Sequence, residues 1–146
     1  MAVILNDSAK ESMRALTFSL IAASLVGCSV ITDQSSHYRD FVGAEFVTRK
    51  EQYLLRLDEY QYGFVPLTLE ESPTALAPYS HLQEKIPVGA RVKIVQARYR
   101  PSIDAGFDYF IGDLFLPGQP SPIRFEQFVG TPEQAPKFLR LWQRIP

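Results

Sequence analysis

Side chains able to carry chemistry are few in this chain and stand far apart. There is one thiol, Cys28, and there are two imidazoles, His37 and His81. A metal centre needs His, Cys, Asp or Glu clustered at ligand spacing, and these three do not cluster. Nucleophilic catalysis needs a serine or cysteine within reach of an oriented base. Ser80 and His81 are neighbours, which does not aim them at one another, and no glycine-rich elbow surrounds any serine. No phosphate-cradling glycine loop occurs. Asp104 and Asp108 are the oxygen ligands a calcium loop would use, but the plainer reading of Ser102-Ile103-Asp104-Ala105-Gly106 is a polar connection between two strands. Asp58-Glu59 and Glu70-Glu71 bracket apolar segments, which suits solvated strand ends better than a glycosidase acid–base pair. No metal and no cofactor is expected.

Two surface patterns are sharper. Arg91, Lys93, Arg98 and Arg100 share one side of a strand if a bulge falls at Ile94-Val95. Val95 is then the extra residue, and Val92, Ile94, Ala97 and Tyr99 keep the apolar side. Such a basic stripe suits anionic lipid, lipopolysaccharide or an acidic partner, each cation near anionic headgroups contributing about 1 kcal/mol. The plainer alternative is a solvated strand face paired across the sheet with Asp108, Asp113 or Glu126. Tyr60, Tyr62 and Phe64, with Tyr53 and Tyr79, would line a peptide or glycan groove, or else fill a barrel core with tyrosines bonded at its rim. Fifteen Lys and Arg against sixteen Asp and Glu give a net charge of −1, which leaves no broad basic footprint for nucleic acid.

The surroundings of Cys28 are the most specific feature. Met13-Arg14 is followed by an uncharged stretch, Ala15 to Ser24, and then by Leu25-Val26-Gly27-Cys28. One positive charge, a short apolar run and small residues make the layout of a secretory signal peptide. Ala15 to Gly27 is too short for an ordinary transmembrane helix, which needs about 20 residues. The tetrapeptide resembles the lipobox of bacterial lipoproteins. That resemblance implies cleavage before Cys28, with Leu25, Val26 and Gly27 as recognition residues, and a lipid on the thiol. Several acyl chains on one cysteine anchor stably, whereas a single chain is marginal. Ser29, standing where an aspartate would favour the inner membrane, resembles outer-membrane lipoproteins and implies a protein facing the periplasm. The alternatives are a buried thiol ending a core helix and a plain secreted chain. Met1 to Ser12, with Asp7, Lys10 and Glu11, fits a signal peptide poorly, so Met13 is the expected start; a precursor peptide spanning Asp7 to Arg14 would reject that.

The expected organisation is a signal peptide over 1–27, a lipidated tether over 28–39 and a single β-rich domain over 40–146. Strands are expected at Ala44 to Thr48, at Gln52 to Asp58 with Tyr53, Leu55 and Leu57 on one face, and at Gly63 to Leu69. Pro66 marks the last of these as an edge strand. Glu70 to Glu84 reads as a long loop with a short helical turn near Ala75 to His81. Gly89 to Arg100 is the central strand, Phe107 to Leu116 follows with a kink at Gly112, and Leu116 to Pro122 turns into Ile123 to Val129. There Ile123 and Phe125 face in, and Arg124 and Glu126 face out. Thr131-Pro132-Glu133-Gln134 has capping-box residue types, and Phe138, Leu141, Trp142 and Ile145 follow helical spacing, so a short C-terminal helix is expected. The fold class is mainly β, a small antiparallel barrel or half-open sheet after an N-terminal signal helix. The turn and strand Ile86-Pro87-Val88-Gly89-Ala90-Arg91-Val92-Lys93-Ile94 resemble the strand entry of bacterial SH3-like domains, which implies a partner-binding module more than an enzyme.

The functional expectation is a lipid-anchored, non-enzymatic envelope protein with a binding or scaffolding role towards an envelope protein or glycan. The alternative is an envelope enzyme, or an inhibitor of one, acting on cell-wall glycans.

Overall fold

The computed structural model describes residues 32–59, 63–101 and 105–146; Leu25, Val26, Gly27, Cys28, Tyr60, Tyr62 and Asp104 lie outside the described residues, as does the expected signal helix. Among the described residues the protein is mainly β with one short helix. The strands are β1 (Thr32–Asp33), β2 (Glu45–Thr48), β3 (Gln52–Leu57), β4 (Leu67–Glu70), β5 (Ser80–Ile86), β6 (Arg91–Pro101), β7 (Gly106–Phe115), β8 (Ile123–Gly130) and β9 (Trp142–Arg144). They form one curled sheet in the order β5-β3-β4-β8-β7-β6-β2-β9, with β1 also on β6. All pairings are antiparallel except that of β4 with β8, which is parallel and departs from the expected antiparallel sheet.

The β6–β7–β8 meander is its backbone. The register of β6 against β7 shifts between Ile94 and Gln96, so Val95 is the extra residue, where the alternation of the sequence requires it. Val92, Ile94 and Ala97 are fully buried on the core side. Gly112 lies opposite Ile94, and a Cβ there would come within 2.6 Å of the Phe125 ring. Close packing, rather than a kink, is therefore what requires glycine at this position.

β3 is buried on both faces. Leu55 and Leu57 share one side as expected, while Gln52 and Leu54 face the main core. Gln52 is a polar residue of that side. It is fully buried, and its Oε1 accepts a hydrogen bond from Trp142 Nε1 at 2.9 Å. β4 is interior, not an edge. Pro66 precedes it and uses only its carbonyl, which accepts from Leu57 N at 2.7 Å, so its missing N–H removes nothing from the ladder. One edge strand is β5, which begins inside the segment expected to be loop. Its residues from His81 to Lys85 are exposed, so it carries no apolar alternation to betray it.

The C-terminal segment is a 3-10 helix, Pro132–Arg140, followed by β9. Thr131 N donates to Gln134 Oε1 at 3.2 Å, as the capping-box residue types suggested. Pro132 and Pro136 both lack an N–H, which keeps this helix from extending as a regular α-helix. Trp142 therefore belongs to a strand paired with β2. Its ring stacks on Phe138 at 5.1 Å and contacts Phe46 and Phe125.

The folded part begins before residue 40. Thr32 pairs with Tyr99, and Tyr38 is buried in the core, so the stretch expected as tether is packed from Thr32 onward. Tyr38 donates its hydroxyl to Asp108 Oδ2 at 2.5 Å, and Asp108 Oδ1 has no partner among the described residues. Burial, together with the neighbouring Asp108 carboxylate, pushes the Tyr38 phenol well above its ordinary pKa. Tyr38→Phe would strand a buried carboxylate, and we expect a loss of about 1–3 kcal/mol in urea unfolding. A loss below about 0.5 kcal/mol would mean that this bond does not hold the N-terminal arm.

Candidate functional site

The sheet is thinnest where β4 meets β8. The two strands match at one position only, Thr68 with Glu126. Along this seam lies a groove of about 520 Å³. One wall is Leu57, Leu69, Glu70, Glu71 and Leu76; the other is Gln127 and Phe128 with Lys137, Phe138 and Arg140 of the 3-10 helix. The groove combines apolar side chains with charged ones of both signs, Glu70, Glu71, Lys137 and Arg140 among them.

Glu126 stands at the base of the seam. Its Oε1 accepts from Gly63 N at 2.6 Å, and its Oε2 accepts from Phe64 N and Val65 N at 2.6 and 2.8 Å. Three successive N–H groups converging on a carboxylate form an anion nest. Burial pushes the Glu126 pKa up, against the pull of these three donors and of the Arg100 charge. The strap formed by residues 63–66 covers this side of the sheet. A Cβ on Gly63 would meet the Tyr109 ring at 3.1 Å, and the Phe64 ring packs edge-on against Tyr109 at 5.6 Å. Burial raises the Tyr109 phenol, with the Glu126 charge adding to it. Glu70 is raised likewise by burial and by Glu71 beside it, with Lys137 acting in the opposite direction. Lys137 Nζ donates to Val129 O at 3.2 Å and lies 5.1 Å from the Phe138 ring centre.

The basic stripe lies on the outer side of β6, and its four cations have different surroundings. Arg91 bridges Glu45 at 3.2 Å and stands over Phe115; Lys93 reaches the same carboxylate at 4.0 Å. Arg98 donates to Gln96 Oε1 at 2.8 Å and stands over Phe64. Arg100 is exposed, and its charge is felt at Glu126 and Tyr109. Of the acids expected to pair with the stripe, Glu126 feels the charge of Arg100, and each of the three has a bonded partner off the stripe. Asp108 holds Tyr38, Asp113 bridges Arg124 at 2.6 Å, and Glu126 holds the strap. Glu126 was expected to face water; it is buried because the strap lies over it.

Ser80 and His81 form no dyad. Ser80 Oγ donates to Ala75 O at 2.6 Å, while His81 Nε2 lies 3.3 Å from Asp58. Asp108 is buried within β7, where its Oδ2 accepts from the Tyr38 hydroxyl. Of the expected aromatic groove, Tyr53 and Tyr79 do not gather around Phe64. Tyr53 bonds Glu51 at 2.9 Å, and Tyr79 is exposed next to β5. Phe64 instead joins Tyr109, Phe128 and Phe107 in a chain of ring contacts. That chain was missed in the sequence. Its signal is β7, apolar on both faces, beside a β8 whose second face carries Glu126 and Phe128.

Comparisons with models of known families, with curated proteins and with solved structures find no match for this chain.

Proposed function

We propose that the chain is a lipid-anchored protein of the bacterial cell envelope, attached through Cys28 and carrying a small SH3-like β domain that binds or scaffolds a partner. The observation that carries this is Leu25-Val26-Gly27-Cys28, placed after Met13-Arg14 and a short uncharged run, with the only thiol of the chain at the cleavage position. Ser29 supports the outer membrane, with the domain facing the periplasm. The SH3-like reading rests on the resemblance of Ile86 to Ile94 alone. The groove along the β4–β8 seam is the surface we assign to a peptide or glycan partner.

The enzymatic alternative would draw on the same groove, with Glu70 and Glu126 as its carboxylates. Glu126 already accepts three backbone N–H bonds, so its oxygens are engaged in holding the strap. This favours binding over acid–base work.

Cys28→Ser removes the acyl acceptor and leaves the β domain unchanged. In a bacterium with intact lipoprotein processing, the expected outcome is an uncleaved precursor that takes up no labelled palmitate. Unchanged maturation and unchanged membrane fractionation of this variant would reject the anchor.

A further inference from the structure

The sheet is interrupted along the seam between β4 and β8. Thr68 and Glu126 are the only Cα partners across it among the described residues. On the β4 side, Leu69 and Glu70 pair with β3 alone. On the β8 side, Gln127, Phe128 and Gly130 pair with β7 alone, and Val129 has no Cα partner in either neighbour. Val129 gives its carbonyl to Lys137 Nζ at 3.2 Å instead. A side-chain amine thus stands where a neighbouring strand would offer an N–H. The groove of about 520 Å³ therefore lies between two strands whose facing sides are left open by sheet pairing. Open strand edges are templates for an added strand.

The charges along the groove narrow the choice of occupant. Lys50 bridges Glu71 at 3.6 Å, and Lys137 is engaged by Val129 O and by the charge of Glu70. Arg140 lines the same groove, is exposed, and bridges no acid among the described residues. Its planar fork of donors is best matched by a carboxylate. A neutral glycan offers neither a carboxylate nor the repeat of N–H and C=O groups that a strand edge matches. An extended peptide offers both.

We infer that the groove binds an extended peptide as an added strand between β4 and β8, with a carboxylate of that peptide on Arg140. The inference rests on the assignment of this groove to a partner and names the partner's class. A tetrapeptide spans about 13 Å, the length of β8 from Gln127 to Gly130. Its backbone pairs with the open edges, and a peptide N–H takes over Val129 O from Lys137. Its apolar side chains meet Leu57 and Leu76 on one wall and Phe128 on the other. Leu76 and Phe128 are 52% and 44% exposed, so both have apolar surface for it to cover.

The test uses the full chain, immobilised, with a randomised pool of N-acetyl tetrapeptide acids, the same pool as C-terminal amides, and chitotetraose. Retained molecules are read by mass spectrometry. The acid pool should be retained broadly, and the amide pool only in members that contain Asp or Glu. Arg140→Ala should weaken retention of both about tenfold, with an unchanged urea midpoint as the check on folding. Amide exchange at Glu70 and Gln127 should slow when peptide is bound. Peptide retention that Arg140→Ala leaves unchanged, or that leaves those two amides unprotected, overturns the inference. Retention of chitotetraose and of neither peptide pool also overturns it and leaves the groove to a glycan. Retention of no probe defeats the groove assignment along with the inference.

Discussion

Replacing Trp142 by alanine should cost about 3–5 kcal/mol, the largest loss for any single side chain here. The ring is 1% exposed and contacts Phe46, Phe125 and Phe138. Its Nε1–H satisfies Gln52 Oε1, whose Nε2 has no partner among the described residues. The truncation therefore opens a cavity and leaves a buried amide unpaired at the same time. It also releases β9 from β2, since Trp142 pairs with Thr48 at the start of that short ladder. Urea unfolding followed by circular dichroism measures the effect. Trp142→Phe keeps much of the ring packing and loses the hydrogen bond, so it should fall between wild type and alanine. If alanine cost less than about 1 kcal/mol, the C-terminal strand would not be part of the core.

Glu126→Ala should cost about 2–4 kcal/mol, because three N–H groups of the strap lose a charged acceptor together. The local consequence is sharper than the global one. Amide exchange at Gly63, Phe64 and Val65 should accelerate while the amides of β6 and β7 remain protected, so the strap opens over an intact sheet. The pH dependence follows from the raised Glu126 pKa. In the folded protein this carboxyl holds its proton more tightly than in the unfolded chain. Its contribution to stability is therefore fully present below the ordinary carboxylate pKa and is lost as pH rises through the raised folded value. Wild type should lose more stability than Glu126→Gln as pH rises from the ordinary carboxylate pKa through the raised folded value. The opposite sign would mean that the three donors outweigh burial and hold the carboxyl below its ordinary value.

The parts of the fold legible in the sequence are those that local alternation governs. The bulge at Val95 follows from the change of phase between Val92-Lys93-Ile94 and Ala97-Arg98-Tyr99, and the structure places it there. The turn after Leu116, the capping-box residues and the β2 strand follow from turn chemistry and from period two. Three features were not legible, each for a tertiary reason. β5 is held by backbone bonds to β3 at an exposed edge, so its side chains carry no pattern. Gln52 and Glu126 look like wet-face residues because their partners, Trp142 and the 63–65 backbone, are 90 and 63 to 61 residues away. Trp142 fits helical spacing equally well, and Pro136 together with the free edge of β2 decides for a strand. The candidate groove was hidden for the same reason. It is the gap left where two strands distant in sequence meet at a single residue pair, and no local pattern records that.

The most direct test of the lipid anchor is the mass of the N-terminal peptide of the mature protein, recovered from bacterial membranes and digested. The expected peptide begins at Cys28 and carries the mass of a diacylglyceryl group on sulfur, with or without an acyl chain on the new amino terminus. A peptide that runs unmodified through Gly27-Cys28, or one that begins at Cys28 with a free thiol, would contradict it.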